Sequence, residues 1–374
     1  MPLFSYQYSS QFQQFPSQRP NVTTICGNLN NRRKNNGTEA AQYAGRPRLG
    51  DTCILRGAVI DDQDVSDCDM EIAQGQQTNT IDAKEENIDF IPAREFVVND
   101  HSVTLPPTFI CNRITLSHSV SIFKRHLSDI KLHLAQSNAD HLLDVSADSD
   151  LVIGVYEGGL KTWESAGDLL EYLGLLFERG EFNVEMGGKC LELGCGSSLP
   201  GIYMLVRCPL IRVDFQDYNE QVIGHVTIPN ILLNTALAPS DNDIDKDNIA
   251  EVDITDSINL LAKVTERSRF FSGDWTGLTD VLDMKSNSDK YDIILTSETI
   301  YNISSMPKLY NVIKESLKRP TGIAYVAAKT MYFGVGGGVL PFKQLVEADG
   351  IFNVKVVFNV TNNVKREILE LRYK

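Results

Sequence analysis

The residues whose types and spacing suggest chemistry begin at a glycine turn, "LELGCGSSLP", in a chain of 374 residues. Gly194 and Gly196 follow a short apolar run, and the missing Cβ of a glycine lets a ligand approach the backbone. The turn is not a dinucleotide loop of the GxGxxG type, because position 199 is Leu, and no Lys-Ser/Thr pair follows as in a Walker loop. Glu192 stands just before the turn, where its carboxylate repels a pyrophosphate and attracts an ammonium group.

Two further acids follow later apolar runs of the chain. Asp217 ends "IRVDFQD", 23 residues past Gly194, where an acid can accept both ribose hydroxyls of a nucleoside cofactor. That contact suits NAD as well as S-adenosylmethionine, whose amino group and sulfonium also suit Glu192. Asp274 lies in "SGDW" after the next run, and the indole of Trp275 can cover a base. Acids thus stand at the ends of three successive runs, at Glu192, Asp217 and Asp274. This arrangement predicts a nucleoside site and favours S-adenosylmethionine.

Short apolar runs, most of them separated by helical stretches, must position these residues. The five runs are "CLEL" (190–193), "IRVDF" (211–215), "RFFS" (269–272), "YDIILTS" (291–297) and "IAYVAA" (323–328). Buried runs with crossover helices predict a mostly parallel sheet. The runs "FNVKVVFNV" and "REILELRYK" flank "TNN" and predict a C-terminal antiparallel hairpin. The expected fold is α/β, a Rossmann-like doubly wound seven-stranded sheet, which resembles the sheet of the class I methyltransferases.

Two segments outside these runs have the spacing of helices. "TWESAGDLLEYLGLLFERG" predicts one helix, which Thr162 or Ser165 can cap and Gly180 ends. The second, "SVSIFKRHLSDIKLHLAQ", has helical spacing of its apolar residues at Ile122, Leu127, Ile130 and Leu134.

Four histidines lie near the second segment, at His118, His126, His133 and His141. A metal site on a helix favours neighbours at i and i+4, as in HExxH. Here the gaps are eight, seven and eight residues. We therefore expect a stripe of histidines on the surface and no metal site.

Six motifs give the chain a more specific resemblance. They are "GVYEGGLKTWES" (154–165), "LELGCGSSLPGI" (191–202), "FQDYNEQVI" with "TIPN" (215–230), "FFSGDW" (270–275), "YDIILTSETIYN" (291–302) and "YFGVGGGV" (332–339). Over about 185 residues and in this order, they resemble the protein-histidine N-methyltransferase branch of the class I (seven-β-strand) methyltransferases, which modifies a large-subunit ribosomal protein. One position departs from the family pattern. Ser198 stands where the family has glycine, and its Cβ is expected to crowd the methionine half of the cofactor.

The resemblance implies a role for each matching site residue. Residues of the first helix would close over the cofactor, the glycine turn would face its methionine half, and later strand ends would hold the ribose and frame the adenine. In chain order the implied cofactor-binding residues are Thr162, Trp163, Glu164, Ser165, Glu192, Gly194, Gly196, Gln216, Asp217, Tyr218, Gly273, Asp274, Trp275 and Ser297. Tyr332, Phe333 and Gly336 belong to a glycine-rich run that is expected at the protein substrate, either as a flexible lip or as a tight structural turn.

Methyl transfer to histidine needs little acid–base chemistry. A neutral imidazole already has a lone pair on one nitrogen, so alignment and desolvation matter most. A carboxylate that accepts the other ring N–H would fix the tautomer and stabilise the imidazolium that develops. Glu298, with Tyr301 and Asn302 in "SETIYN", lies at the carboxyl end of the fourth run and is expected to be catalytic.

Two other functions stay open. A protein-lysine methyltransferase would also suit Glu298-x-x-Tyr301, and a non-catalytic, cofactor-binding ribosome-assembly chaperone would use the same pocket. An NAD dehydrogenase is disfavoured by the missing third glycine and by the terminal hairpin.

Composition divides the chain into three parts. Residues 1–85 are rich in Gln, Asn, Ser, Gly and Asp and are expected to be a disordered low-complexity tail. Within it, Arg32-Arg33-Lys34 is either a nuclear address, an RNA contact or a solvated part of the tail. Residues 86–150 are expected to form an N-terminal extension with a helix, and residues 151–374 the methyltransferase domain.

Charge and cysteine usage exclude several classes of protein. A net charge of −14 argues against a surface devoted wholly to nucleic acid; it suits a basic protein substrate, or serves solubility alone. The sequence has no apolar stretch long enough to span a membrane. Its first twenty residues lack the basic and apolar regions of a secretory signal, so we expect none. Its seven cysteines form no CxxC, which disfavours a disulfide framework or a structural zinc site. We expect a cytoplasmic and nuclear monomer without membrane contact, which meets nucleic acid only indirectly or through the tail.

Overall fold

The computed structural model describes residues 90–116, 120–136, 155–182, 185, 187–361 and 364–374. The predicted tail of residues 1–85, its basic cluster, His118 and His141 lie outside the described residues.

The described residues form eleven strands and nine α-helices. The strands are β1 (Arg94–Glu95), β2 (Thr108–Thr115), β3 (Ser121–Arg125), β4 (Gly188–Leu193), β5 (Ile211–Asp217), β6 (Ile249–Asp253), β7 (Phe270–Ser272), β8 (Ile293–Ser297), β9 (Ile323–Lys329), β10 (Phe352–Val360) and β11 (Arg366–Tyr373). The helices are α1 (Leu127–Ala135), α2 (Glu164–Glu178), α3 (Leu199–Arg207), α4 (Glu220–Val222), α5 (Ile228–Asn234), α6 (Ser257–Thr265), α7 (Leu278–Val281), α8 (Met306–Ser316) and α9 (Val339–Asp349), with a π-helical turn over Ile223–Thr227 between α4 and α5.

The main sheet has the strand order β1-β7-β5-β4-β8-β9-β11-β10. The strands from β7 to β9 in this order pair in parallel, whereas β11 is antiparallel to both β9 and β10. All seven predicted runs are therefore strands, and the predicted fold class is confirmed. The sheet has one strand more than expected, because the two-residue β1 pairs antiparallel with β7 at the edge.

Helices cover both faces of this sheet because its strands bury alternate residues on opposite sides. On β4, Cys190 joins a core that includes Leu169 of α2 and Ile202 of α3. Leu191 joins a second core that includes Leu309 of α8. Two buried faces explain why the central strands are continuous apolar runs.

A second sheet, with the order β3-β2-β6, was not predicted. Ile122 lies on β3 and not on a helix, which corrects the predicted helix over this segment. The α-helix begins only at Leu127, because the imidazole of His126 accepts a hydrogen bond from the Ser128 N–H and so caps its start. Strands from residues 86–150 thus lie in both sheets.

The predicted surface stripe of histidines is wrong for His133, which is only 7 % exposed. Its ring meets that of His225 edge-on at 4.7 Å, and Arg125 Nη1 lies 3.2 Å from its Nδ1. Burial lowers the pKa of His133 to about 4, and the Arg125 charge adds to the effect. Among the described residues no three potential ligand side chains come together as a metal site. Nor does any helix in that part of the chain have the length and apolarity to cross a membrane.

Candidate active site

A cavity of about 540 Å³ opens at the carboxyl ends of the parallel strands. Most of the predicted site residues line it. They are Trp163, Gly194, Gly196, Gln216, Asp217, Tyr218, Gly273, Asp274, Trp275, Ser297, Glu298, Tyr301, Asn302, Tyr332 and Phe333. The predicted residues that do not line it are Thr162, Glu164, Ser165, Glu192 and Gly336.

The glycine turn after β4 forms one wall of the cavity. Gly194 and Gly196 have φ of +61° and +49°, a region that side chains disfavour. A Cβ on Gly194 would lie 2.4 Å from Thr299 Cγ2. The local backbone and packing therefore account for the glycine at both positions.

Ser198 adopts the left-handed conformation, with φ +57°, immediately before α3. This conformation explains why glycine is the natural residue at this position. Ser198 is buried and does not line the cavity. The structure therefore does not support the expected crowding of the cofactor. The serine instead strains the backbone, because it holds a left-handed conformation.

Glu192 lies beneath α3 and not at the cavity, which corrects its expected contact with a ligand ammonium. It is on the same face of β4 as Cys190, and its carboxylate accepts a hydrogen bond from the Gly201 N–H at 3.0 Å. A Cβ on Gly201 would lie 2.4 Å from Glu192 Oε2, so the glycine makes room for the carboxylate. Burial raises the pKa of Glu192 well above its usual value.

Asp217 ties the end of β5 to the glycine turn. Its carboxylate accepts hydrogen bonds from the Gly196 N–H at 2.8 Å and the Asn219 N–H at 3.2 Å. Burial raises its pKa to about 7, even though these amides favour the ionised form. Asp217 also lines the cavity, so its carboxylate lies where the ribose assignment expects an acceptor.

Gln216 connects three parts of the cavity wall through its amide. Its carbonyl oxygen accepts from the Gly194 N–H at 3.3 Å and from the Trp275 indole N–H at 2.8 Å. Its NH₂ group donates to the Gly273 carbonyl at 2.8 Å. These contacts give Gln216 a positioning role, in contrast to the direct ribose contact that the resemblance implies.

Asp274, expected at the adenine amino group, already has a cationic partner. Lys308 Nζ, on α8, lies 3.0 Å from each of its carboxylate oxygens. The same ammonium lies 3.6 Å from the centroid of the Phe90 ring. An adenine amino group at Asp274 would therefore share the carboxylate with Lys308.

Glu298 is held at the cavity by donors from two other segments. Its Oε1 accepts from both the hydroxyl and the backbone N–H of Ser165, at 2.6 and 3.1 Å. Its Oε2 accepts from the Tyr332 hydroxyl. Glu298 itself has φ +58°, a strained conformation of the kind that is common at functional sites.

The first helix does not use the predicted caps. Trp163 is the N-cap of α2 and makes no side-chain capping hydrogen bond. The Ser165 hydroxyl instead donates to Glu298, the predicted catalytic residue. Ser165 itself does not line the cavity.

Tyr301 and Asn302 both line the cavity but make different contacts. The Tyr301 hydroxyl donates to the carboxylate of Glu157. The Asn302 side-chain carbonyl accepts from the N–H and the hydroxyl of Ser304, both at 3.0 Å. Asn302 therefore stabilises the turn that leads into α8.

The glycine-rich run is a tight structural turn rather than a flexible lip. The Gly337 N–H donates to the Tyr301 carbonyl at 2.9 Å, and the Tyr332 N–H donates to the Gly337 carbonyl at 3.0 Å. A Cβ on Gly337 would lie 2.1 Å from the Tyr301 oxygen. The turn buries Tyr332 and leaves Phe333 87 % exposed at the cavity mouth.

Several residues of the cavity wall received no predicted role, among them Phe90, Glu157 and Lys308. Glu157 is an acid within the motif "GVYEGGLKTWES", so the sequence held a signal from which a place at the site could have been predicted. Phe90 and Lys308 reach the cavity through contacts between distant segments, for which the sequence has no periodic pattern.

Comparisons with known proteins identify relatives of the chain. The "Histidine protein methyltransferase 1 homolog" of Dictyostelium discoideum is 38% identical over 229 residues, which are 60% of this chain and 61% of that protein. The homolog of Bos taurus is 38% identical over 61% of this chain and 59% of its own length. "Histidine protein methyltransferase 1" of Schizosaccharomyces pombe is 33% identical over 66% of this chain and 75% of its own length. The chain thus spans about three fifths of the first two relatives. No protein-family model matches it.

Proposed function

Because the chain belongs to the family of proteins named histidine protein methyltransferase 1, we propose that it transfers a methyl group from S-adenosylmethionine to a histidine side chain of a protein. The family resemblance predicted from the motifs is confirmed. The observation that carries the proposal is the placement of Asp217, Asp274 and Glu298 around one cavity.

The cavity residues fit the cofactor by their chemistry. S-adenosylmethionine supplies, when bound, a methyl group on a positively charged sulfur. Asp217 would accept from the ribose hydroxyls, and Asp274 would accept from the adenine amino group. The glycine turn, residues 194–196, would admit the methionine half. A volume of about 540 Å³ lies within the range of pockets that enclose ligands of this size.

Glu298 is the group that suits the acceptor imidazole. An imidazole nitrogen can attack the methyl group only while its lone pair is free, so its other nitrogen must carry the proton. A fixed carboxylate accepting that N–H selects this tautomer and stabilises the positive charge that develops on the ring. Ser165 and Tyr332 hold the carboxylate in place. Burial and the adjacent carboxylate raise the pKa of Tyr332, so its phenol remains a donor.

An apolar rim at the acceptor end suits a protein substrate. Met331, Phe333, Val335 and Val364 all line the cavity and are all exposed. Exposed apolar residues beside a cavity are typical of surfaces that bind a partner. The net charge of −14 further favours a basic partner, and we extend the proposal to a large-subunit ribosomal protein as the substrate, methylated in the cytoplasm or nucleus.

Transfer of labelled methyl groups into ribosomal subunits tests the proposal. Subunits from cells that lack this protein should accept label from S-adenosylmethionine, and subunits from cells that contain it should accept little, because their site is already methylated. The Asp217→Ala variant is the control and should transfer far less at limiting cofactor. Absence of label in both kinds of subunit, with a wild-type protein that binds cofactor, would exclude a ribosomal substrate.

A further inference from the structure

Residues 90–95 form a strap across one end of the cavity. Arg94 and Glu95 pair with β7 as β1, which places the strap beside the segment that carries Gly273 and Asp274. Ile91 joins both neighbours, because its carbonyl accepts from the Asp274 N–H at 2.8 Å and its N–H donates to the Tyr218 hydroxyl at 3.2 Å. The strap is therefore built into the part of the wall where the adenine is expected.

Gly273 shows how closely the strap packs. A Cβ at this position would lie 2.3 Å from the Pro92 carbonyl oxygen, and Gly273 has φ +98°. Any other residue would displace the strap. The strap thus gives a structural reason for the glycine of "SGDW", which also lines the cavity.

Salt bridges hold the strap at its other end. The Arg94 guanidinium pairs with Glu220, and Arg269 donates to both carboxylate oxygens of Glu95, at 3.0 and 2.9 Å. A bidentate pair of this kind fixes orientation as well as distance. The strap therefore holds Phe90, at its start, in a defined place.

Phe90 carries its ring into the cavity wall while remaining 41 % exposed. One face of the ring meets the Lys308 ammonium, 3.6 Å from the centroid, and this ammonium also pairs with Asp274. A cation–π contact orients the ring. Because the ring lines the cavity and is only partly covered, it can offer an apolar surface to a planar group in the cavity.

We propose that Phe90 covers the adenine base of the bound cofactor, so that the strap is a working part of the cofactor site. The inference rests on the proposed function. Aromatic side chains bind bases through contact with their π-face, and Phe90 contacts the same Lys308 ammonium that pairs with Asp274, the carboxylate expected to bind the adenine amino group. Lys308 is then a positioning residue, which orients the ring and the carboxylate together.

Calorimetric titration with S-adenosylhomocysteine tests the proposal without the need for activity. We expect Phe90→Ala to weaken binding about tenfold and Phe90→Tyr, which keeps the ring, to bind nearly as wild type. Val97→Ala is the matched control, because Val97 follows the strap closely, is exposed and does not line the cavity, so its truncation should not change the affinity. The chain's two tryptophans, Trp163 and Trp275, both line the cavity, so their fluorescence gives a second titration signal.

Each outcome separates this inference from the proposed function. Wild-type affinity in Phe90→Ala, with an unchanged melting temperature, would overturn the role of Phe90 and leave the proposed function intact. Equal weakening by Phe90→Ala and Val97→Ala would also overturn it, because the effect would then be a general loosening of the strap. A wild-type protein that does not bind S-adenosylhomocysteine would overturn the proposed function and this inference with it.

Discussion

The carboxylate of Glu298 accepts hydrogen bonds from both the hydroxyl and the backbone N–H of Ser165, at 2.6 and 3.1 Å. This contact joins the first turn of α2 to the segment that follows β8, across 133 residues of chain. Two hydrogen bonds to one buried oxygen fix the direction of the carboxylate. Ser165 therefore positions the carboxylate of the predicted catalytic residue, whereas the resemblance implied that it closes over the cofactor.

Replacement of Glu298 by Gln tests the role of its charge. An amide oxygen can still accept the imidazole N–H, so the protein substrate should bind nearly as before, whereas the charge that stabilises the imidazolium is lost. We expect turnover to fall about 10²-fold, with little change in cofactor affinity. Single-turnover rates and calorimetry measure the two effects separately.

The opposite result would change the assignment of Glu298. If Glu298→Gln abolishes cofactor binding but transfers normally at saturating cofactor, Glu298 belongs to the cofactor wall. Ser165→Ala is a useful companion, because it removes the hydroxyl donor and leaves the carboxylate charge intact. It should reduce turnover less than Glu298→Gln.

Asp217 should make cofactor affinity depend on pH. Its pKa is raised to about 7 by burial, and ribose hydroxyls need the ionised carboxylate as acceptor. Affinity should therefore rise by up to about tenfold between pH 6 and pH 8 and then level off. Asp217→Asn should bind more weakly and lose this component of the pH dependence. Identical pH profiles for the two proteins would exclude the ribose contact.

The same shift in the pKa of Asp217 also affects the stability of the fold. Cofactor affinity should rise with pH, whereas the contribution of Asp217 to stability should fall. Folding raises the pKa from a usual value of 3.8 to about 7, so the folded state holds the proton more tightly than the unfolded chain. The contribution of Asp217 to stability should therefore fall as pH rises from about 4 to about 7, and stay constant above that. Asp217→Asn should flatten this part of the pH dependence in urea unfolding. A steeper fall in the variant would contradict it.

Ser198→Gly tests whether the serine disturbs the backbone or the cofactor. Since Ser198 has φ +57°, glycine relieves a strain of about 1 kcal/mol, partly offset by the greater freedom of glycine in the unfolded chain. We expect a small gain in melting temperature and no change in affinity for S-adenosylhomocysteine. A clear gain in affinity would show that the serine does crowd the cofactor.

Arg125 should be important for stability although it lies outside the cavity. Its side chain is fully buried and pairs with Asp129 at 2.6 Å, and its Nη1 donates to the His225 carbonyl at 2.9 Å. Removal of one partner of a buried pair costs about 3–5 kcal/mol, so Arg125→Ala should lower the unfolding free energy by that amount. The control is Arg113→Ala, whose partner Asp241 is 94 % exposed and whose loss should cost less than about 1 kcal/mol. Equal losses in the two variants would contradict the prediction.

The main sheet could be predicted because burial on both faces gives its strands a direct signal in the sequence. The runs "CLEL" and "YDIILTS" are mostly apolar for this reason. The second sheet gave no such signal. β6 is only partly buried, and the helical spacing that starts at Ile122 crosses the junction between β3 and α1.

The candidate site could be predicted where function depends on the end of a strand. Asp217 is the last residue of β5 and Asp274 lies two residues after β7, so their meeting at one cavity follows from the parallel sheet. The prediction that Glu192 contacts the ligand was wrong, because the alternation of side chains along β4 places its carboxylate under α3, at the Gly201 N–H. Phe90 and Lys308 reach the cavity through tertiary contacts, and no local pattern marks such residues.

Identification of the methylated amino acid tests the central claim most directly. Substrate labelled by the wild-type protein with methyl-labelled S-adenosylmethionine is hydrolysed in acid, and its amino acids are separated. Histidine transfer predicts that the label elutes as methylhistidine and that its rate of appearance falls about 10²-fold with Glu298→Gln. Label that elutes as methyllysine would contradict the account, and so would a protein that binds the cofactor and labels no acceptor.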